Sequence, residues 1–125
     1  MDVDTDIDDF EKVSGQLDGL YQEMSVLVKK SPNDGVNTFK IGLINSTLRG
    51  ANVLLGDKYR PFSDFSEFSS DALPTNSDVA LIVAQYIECM EKLRADNVYQ
   101  KMGSWYWRVE GRVVRTMAPR KLRKK

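Results

Sequence analysis

The chain has 125 residues, with 18 Lys+Arg, 18 Asp+Glu and no His, so its formal net charge is zero. Its length suits one compact domain, and a hydrophobic fraction of 42% is enough for a modest core. The lack of histidine excludes Ser-His-Asp triads, His general bases and His-ligated zinc, and a single cysteine, Cys89, excludes an internal disulfide framework or a site of several thiolates.

The opening Met1-Asp2-Val3-Asp4-Thr5-Asp6 is acidic and has no apolar centre, unlike a secretory signal or a basic transit peptide. No stretch approaches the roughly 18 to 20 apolar residues of a membrane helix. A cytoplasmic protein is expected. The aspartates at 2, 4, 6, 8 and 9 do not make a calcium loop. Such a loop started at Asp2 needs Gly and Glu where the chain has Ile7 and Val13, and started at Asp4 it meets Asp9 and Gly15.

Ile7, Phe10, Val13, Leu17, Leu20, Tyr21, Met24, Leu27 and Val28 recur at helical spacing and predict a first helix over 6–30. Acids crowd its start and Lys29-Lys30 close it, as the helix dipole favours. Gly15 and Gly19 weaken it unless they admit another helix closely. Ser31-Pro32 then reads as an N-cap followed by Pro at the first helical position. The second helix is expected over 32–56, on the stripe Val36, Phe39, Leu43, Ile44, Thr47, Leu48, Ala51, Leu54 and Leu55, with Gly56-Asp57 as its end. Asn37, Asn45, Ser46 and Asn52 are placed on the solvated face.

Residues 57–76 hold two prolines and many Ser and Asp residues, which break regular structure. Yet Tyr59, Phe62, Phe65 and Phe68 recur every third position, which predicts an ordered crossover that packs its rings on the helices. Thr75-Asn76-Ser77-Asp78 supplies several N-cap residues. A third helix follows over 77–101, with Val79, Ile82, Val83, Tyr86, Ile87, Met90 and Leu93 on one face and Asn97 as an earlier alternative end. Phe39, Leu43, Leu48, Ile82, Tyr86 and Leu93 are expected in the core.

The period then changes. Residues 104–109 and 112–117 are rich in aromatic and β-branched side chains and flank Glu110-Gly111, a hairpin signal. A two-residue loop opposes Trp107 to Val114 and Tyr106 to Arg115. Alternation puts Trp105, Trp107, Val109, Arg112, Val114 and Thr116 on one side, and Tyr106, Arg108, Val113, Arg115 and Met117 on the other. Residues 118–125 close the sequence as a basic, frayed tail.

Charge is unevenly spread. Residues 1–96 carry 9 basic and 17 acidic side chains, whereas residues 97–125 carry 9 basic and 1 acidic, a net of −8 against +8. Such asymmetry points to a basic interaction segment or to neutralisation within the fold or an oligomer. No Gly-rich phosphate loop, dinucleotide fingerprint or nucleophile elbow occurs. The pairs Glu88/Glu91 and Asp64/Glu67 read as solvated surface acids.

The sequence therefore predicts a mainly α fold: an antiparallel bundle of three long helices with an ordered aromatic crossover and a C-terminal β-hairpin plus basic tail. A helical part over 1–103, a hairpin over 104–117 and a tail over 118–125 divide the chain. The functional expectation is a small non-enzymatic binding or adaptor protein with no cofactor, no metal and no membrane contact. Its expected polyanion-binding residues are Tyr106, Arg108, Arg112, Arg115, Arg120, Lys121, Arg123, Lys124 and Lys125, and the expected partner is nucleic acid, DNA or RNA, or another polyanion, since arginines pair phosphates and aromatic rings stack on bases. The alternative is a protein-interaction or oligomeric subunit whose basic C-terminus docks on an acidic helical surface.

Overall fold

The computed structural model describes residues 3–69, 71–109 and 113–119, residues 3–5 as backbone only. Three helices, α1 (Val3–Lys30), α2 (Thr38–Tyr59) and α3 (Asn76–Asp96), precede three strands, β1 (Val98–Lys101), β2 (Ser104–Trp107) and β3 (Val114–Thr116). The strands form one antiparallel sheet in the order β1-β2-β3. Among the described residues, no helix is long and apolar enough to cross a membrane, and no three His, Cys, Asp or Glu side chains gather into a group that could hold a metal ion.

Each helix contributes its apolar stripe to a shared core: Phe10 and Leu17 from α1, Ile44 and Leu48 from α2, Val79, Val83, Tyr86 and Met90 from α3 are all buried. Contacts along the helices give their directions. Val13 of α1 meets Gly50 of α2, and α1's Glu23 lines a groove with Leu43 of the same partner, so these two run antiparallel. Glu11 pairs with Arg94, and Ser31 at the other end of α1 accepts from Asn76, so α1 and α3 are antiparallel as well. In consequence α2 and α3 run the same way, with Tyr86 bonded to Asn52 and Tyr59 to Asp96. The connector makes this parallel pair possible, because its residues 66–68 run back along α2 from Asn52 to Asn45 before α3 begins.

The second helix starts six residues later than the Ser31-Pro32 signal implies. Asn37 is its N-cap, accepting from Lys40 N–H at 2.9 Å. The intervening loop is drawn off by tertiary pairing: Val36 N–H donates to Pro74 O at 2.9 Å, Asn76 N–H to Asp34 O at 2.9 Å and Ser77 N–H to Pro32 O at 3.1 Å. The helix is also rotated from the expected stripe. Its buried line is Ile41, Ile44, Asn45, Leu48, Ala51 and Leu55, whereas Phe39 and Leu43 are 76% and 54% exposed. Gly56 breaks the helical course at φ 62° and the helix continues to Tyr59. Gly15 and Gly19 face open space rather than a neighbouring helix.

Asn45 and Asn52 are not solvated decoration. The Asn45 amide donates to Phe68 O and accepts from Phe68 N–H, both at 2.8 Å, which makes it a side-chain substitute for a β-ladder pair. One turn on, Arg49 meets Glu67 at 2.8 Å, and Asn52 donates to Ser66 O at 2.9 Å while accepting from Tyr86 Oη at 2.7 Å. Positions 45, 49 and 52 lie on one helix face, so they read residues 68, 67 and 66 in reverse order. Phe62, Phe65 and Phe68 make successive edge-to-face contacts at 6.0 and 5.2 Å, and Phe68 is buried.

The third helix ends at Asp96, capped by Asn97, and not at 101. Thr75 and Asp78 form a reciprocal capping box at its start, with bonds of 3.0 and 3.1 Å. Val98–Lys101 is a strand instead of a last helical turn. It pairs with β2 through Val98–Trp107, Tyr99–Tyr106, Gln100–Trp105 and Lys101–Ser104. Met102 (φ 53°) and Gly103 (φ 83°) make the two-residue turn. Both central residues sit in the left-handed region, the primed geometry that suits hairpin twist. The second hairpin has the register read from the sequence, Trp107 opposite Val114 and Tyr106 opposite Arg115.

Urea unfolding checks this packing at four positions. Leu48→Ala costs about 2–5 kcal/mol, while Leu43→Ala stays within about 0.5 kcal/mol because its side chain already meets water. Asn45→Leu costs about 2–4 kcal/mol, since it leaves both backbone groups of Phe68 unpaired in the interior. Met102→Asn raises stability by about 0.5–1 kcal/mol, because Asn tolerates positive φ where the thioether side chain, 95% exposed, contributes no packing. Equal effects of Leu43 and Leu48 truncation would contradict the observed rotation of α2 about its axis.

A candidate polyanion-binding face

The sheet has two chemically distinct sides because alternate residues point oppositely. On the inner side Trp107 is buried, and Phe10 meets its ring edge-on at 5.1 Å. Its Nε1–H donates to Glu11 Oε2 at 3.0 Å. Thr116, which lies near Trp107 on β3, donates its hydroxyl to the same carboxylate oxygen at 2.7 Å. Arg94, fully buried on α3, completes the cluster. Its Nη1 donates to Thr116 Oγ1 and lies 3.3 Å from Glu11 Oε1, Nη2 reaches Ser14 Oγ at 3.5 Å and Nε sits 3.4 Å from Glu91 Oε2. The guanidinium carbon lies 5.1 Å from the Phe10 ring centroid and 5.8 Å from that of Trp107. A buried cation survives only when paired and bonded, and here its partners come from α1, α3 and β3. Glu91 is therefore buried beside a cation, where the sequence implied a solvated acid.

This cluster fixes the sheet on the helices and turns its other side outward. Across that side Tyr99 of β1 stands opposite Tyr106 of β2, and Tyr106 opposite Arg115 of β3. The two half-buried rings lie 5.7 Å apart at an interplanar angle of 32°. Arg108 follows β2, anchored by its N–H to Asn97 O at 2.8 Å, and holds its guanidinium carbon 5.8 Å from the Tyr99 centroid. Lys101, Arg108 and Arg115 are exposed. Among the described residues no carboxylate lies within ion-pair distance of any of the three.

Of the residues read as a polyanion site, the structure brings together Tyr106, Arg108 and Arg115. Arg112, Arg120, Lys121, Arg123, Lys124 and Lys125 lie outside the described residues. Sequence reasoning missed Tyr99 and Lys101 because it kept them in the third helix. The signal was present: Val98 and Tyr99 favour strands, and Gly103 closes a two-residue gap before Ser104. The inner anchor was missed too, since Glu11, Arg94 and Thr116 are remote in sequence.

Cys89 is half-buried on α3. Burial pushes its thiol pKa up, the Glu88 charge adds to the rise, and Lys92 opposes it. No protein-family model, curated protein or solved structure matches the chain.

Removing the inner anchor should release the sheet. Arg94→Met leaves the Glu11 and Glu91 carboxylates without their buried cation and costs about 3–5 kcal/mol. Thr116→Val, nearly the same shape, costs about 1–3 kcal/mol by deleting the hydroxyl shared between Arg94 and Glu11. Urea titration followed by tryptophan emission measures both, and wild-type midpoints would disprove the anchoring role.

Proposed function

We propose that the chain is a small non-enzymatic binding protein whose outer sheet face engages a polyanion. The observation that carries this reading is the grouping of Lys101, Arg108 and Arg115 around the Tyr99–Tyr106 pair, with no acid paired to them among the described residues. Cations left without acids on a strand surface form an electrostatic footprint for phosphates or sulfates. The net +8 of residues 97–125 extends the same field in sequence, with Arg112 and the basic residues 120–125 as further contacts. In this role the helices and the connector form a rigid platform, and the site needs no cofactor. A cytoplasmic setting, in which a lone cysteine stays reduced, suits it.

A second reading draws on the other half of the charge split. Residues 1–96 are net −8, and α1 exposes Asp8, Asp9 and Glu23. The basic face then docks on an acidic helical surface of a partner or of a second copy.

Electrophoretic retardation with generic DNA and RNA at two salt concentrations, beside light scattering on the same sample, separates the two. Under the first reading the affinity falls steeply with salt, by about 0.7–0.9 in log–log slope for each phosphate contact. Arg108→Ala combined with Arg115→Ala flattens that slope by about 1.5, and deletion of residues 118–125 weakens all sequences alike. Absence of binding at low salt, together with self-association abolished by the same substitutions, would replace the first reading with the second.

A further inference from the structure

Resting on the polyanion reading, we infer that the ligand of this face is single-stranded nucleic acid, with bases stacked on Tyr99 and Tyr106. Charge alone does not explain the surface. A site built only for phosphates needs cations, yet the two central positions of the described face are aromatic rings, opposed across β1 and β2 and held 5.7 Å apart. Both rings are half-buried, so each keeps an exposed portion. Arg108 braces Tyr99 from one side, at 5.8 Å from its centroid, and Arg115 neighbours Tyr106 on the other. Lys101 lies two residues beyond Tyr99 on the same side of β1. Cations thus surround rings, which is the layout a flexible strand can use twice over, with phosphates on the rim and bases in the middle.

The dimensions favour the same ligand. Neighbouring strands lie roughly 4.8 Å apart and advance about 3.4 Å per residue. Three strands of three or four residues therefore offer a patch roughly 10 Å on a side, room for a couple of nucleotides. A duplex keeps its base faces inside the stack, so only its phosphates would meet this patch and both tyrosines would be unused. A single strand presents base faces, and stacking on them is tolerant of sequence because every base has a π-face. The guanidinium groups add cation–π attraction to the same bases.

The test uses the full chain and anisotropy of short labelled oligomers: oligothymidylate, oligouridylate, a duplex of equal length, and an abasic oligomer that keeps the phosphates and lacks the bases. Heparin, a polyanion without bases, competes in parallel. The expected result is tighter binding of oligothymidylate or oligouridylate than of the duplex or the abasic oligomer. Tyr99→Leu and Tyr106→Leu each weaken the single strand by about 5- to 150-fold and leave heparin binding unchanged. Tyr99→Phe and Tyr106→Phe, which keep the ring, retain most of the affinity and guard against a variant that merely misfolds. Equal affinity for the abasic oligomer and the oligothymidylate overturns the stacking inference while the polyanion reading stands, as does a preference for duplex. Failure of the wild-type chain to bind heparin or any oligomer overturns the polyanion reading itself.

Discussion

The arrangement of sheet and helices depends on one buried cation. Arg94 lies at the C-terminal end of α3 with no exposure to water, where an unpaired guanidinium would be prohibitively costly. Its charge and donors must be met, and the groups that meet them come from separate parts of the chain: Glu11 and Ser14 on α1 and Thr116 on β3 take up the terminal nitrogens, while the Glu91 carboxylate on α3 lies at ion-pair distance from Nε. Glu11 then binds Trp107 and Thr116 as well, so two strands are tied to the first helix through one carboxylate. Phe10 and Trp107 close over the guanidinium, excluding water and adding ring–cation attraction. Moving either helix or either strand would break several of these contacts together, which is why the sheet has one orientation on the helices.

A second set of polar contacts decides how α2 is joined to α3. Because these helices run in the same direction, the connector has to travel back along α2, and its backbone groups need partners that regular structure does not supply there. Asn45 and Asn52 provide them at Phe68 and Ser66, and Arg49 pairs with the Glu67 side chain between them. The phenylalanines contribute apolar area, but the register comes from the amides. The same requirement draws residues 32–36 against 74–77 and delays the start of α2.

The outer sheet face is a consequence of these inner contacts. Once Trp107 and Thr116 are committed to Glu11, strand alternation leaves Tyr106 and Arg115 facing away, and the register adds Tyr99 beside them. The proposed ligand, both charged and aromatic, is matched to this combination of rings and cations, which have no acid partner among the described residues. The outward position of Tyr99, Tyr106 and Arg115 thus follows from how the inner side of the sheet is built.

Local signals in the chain determined much on their own. Helical stripes, the cluster of N-cap residues at 75–78 and the Glu110-Gly111 signal are short-range features, and they implied three helices and the second hairpin register, with Tyr106 opposite Arg115. The same register signal placed Tyr106 and Arg115 opposite each other on one side of the sheet. Other features needed the folded chain. Apolar residues surround so much of α2 that periodicity could not choose between Leu43 and Asn45 for the interior, and only the backbone of Phe68 made the amide the better buried group. Tyr99 and Lys101 could continue a helix or begin a strand, and pairing with β2 made the choice. Nothing local marks Arg94 for burial; its partner Glu11 stands 83 positions away. Propensity and periodicity act over a few residues, whereas the burial of a charge or an amide is decided by groups that meet only after the chain has folded.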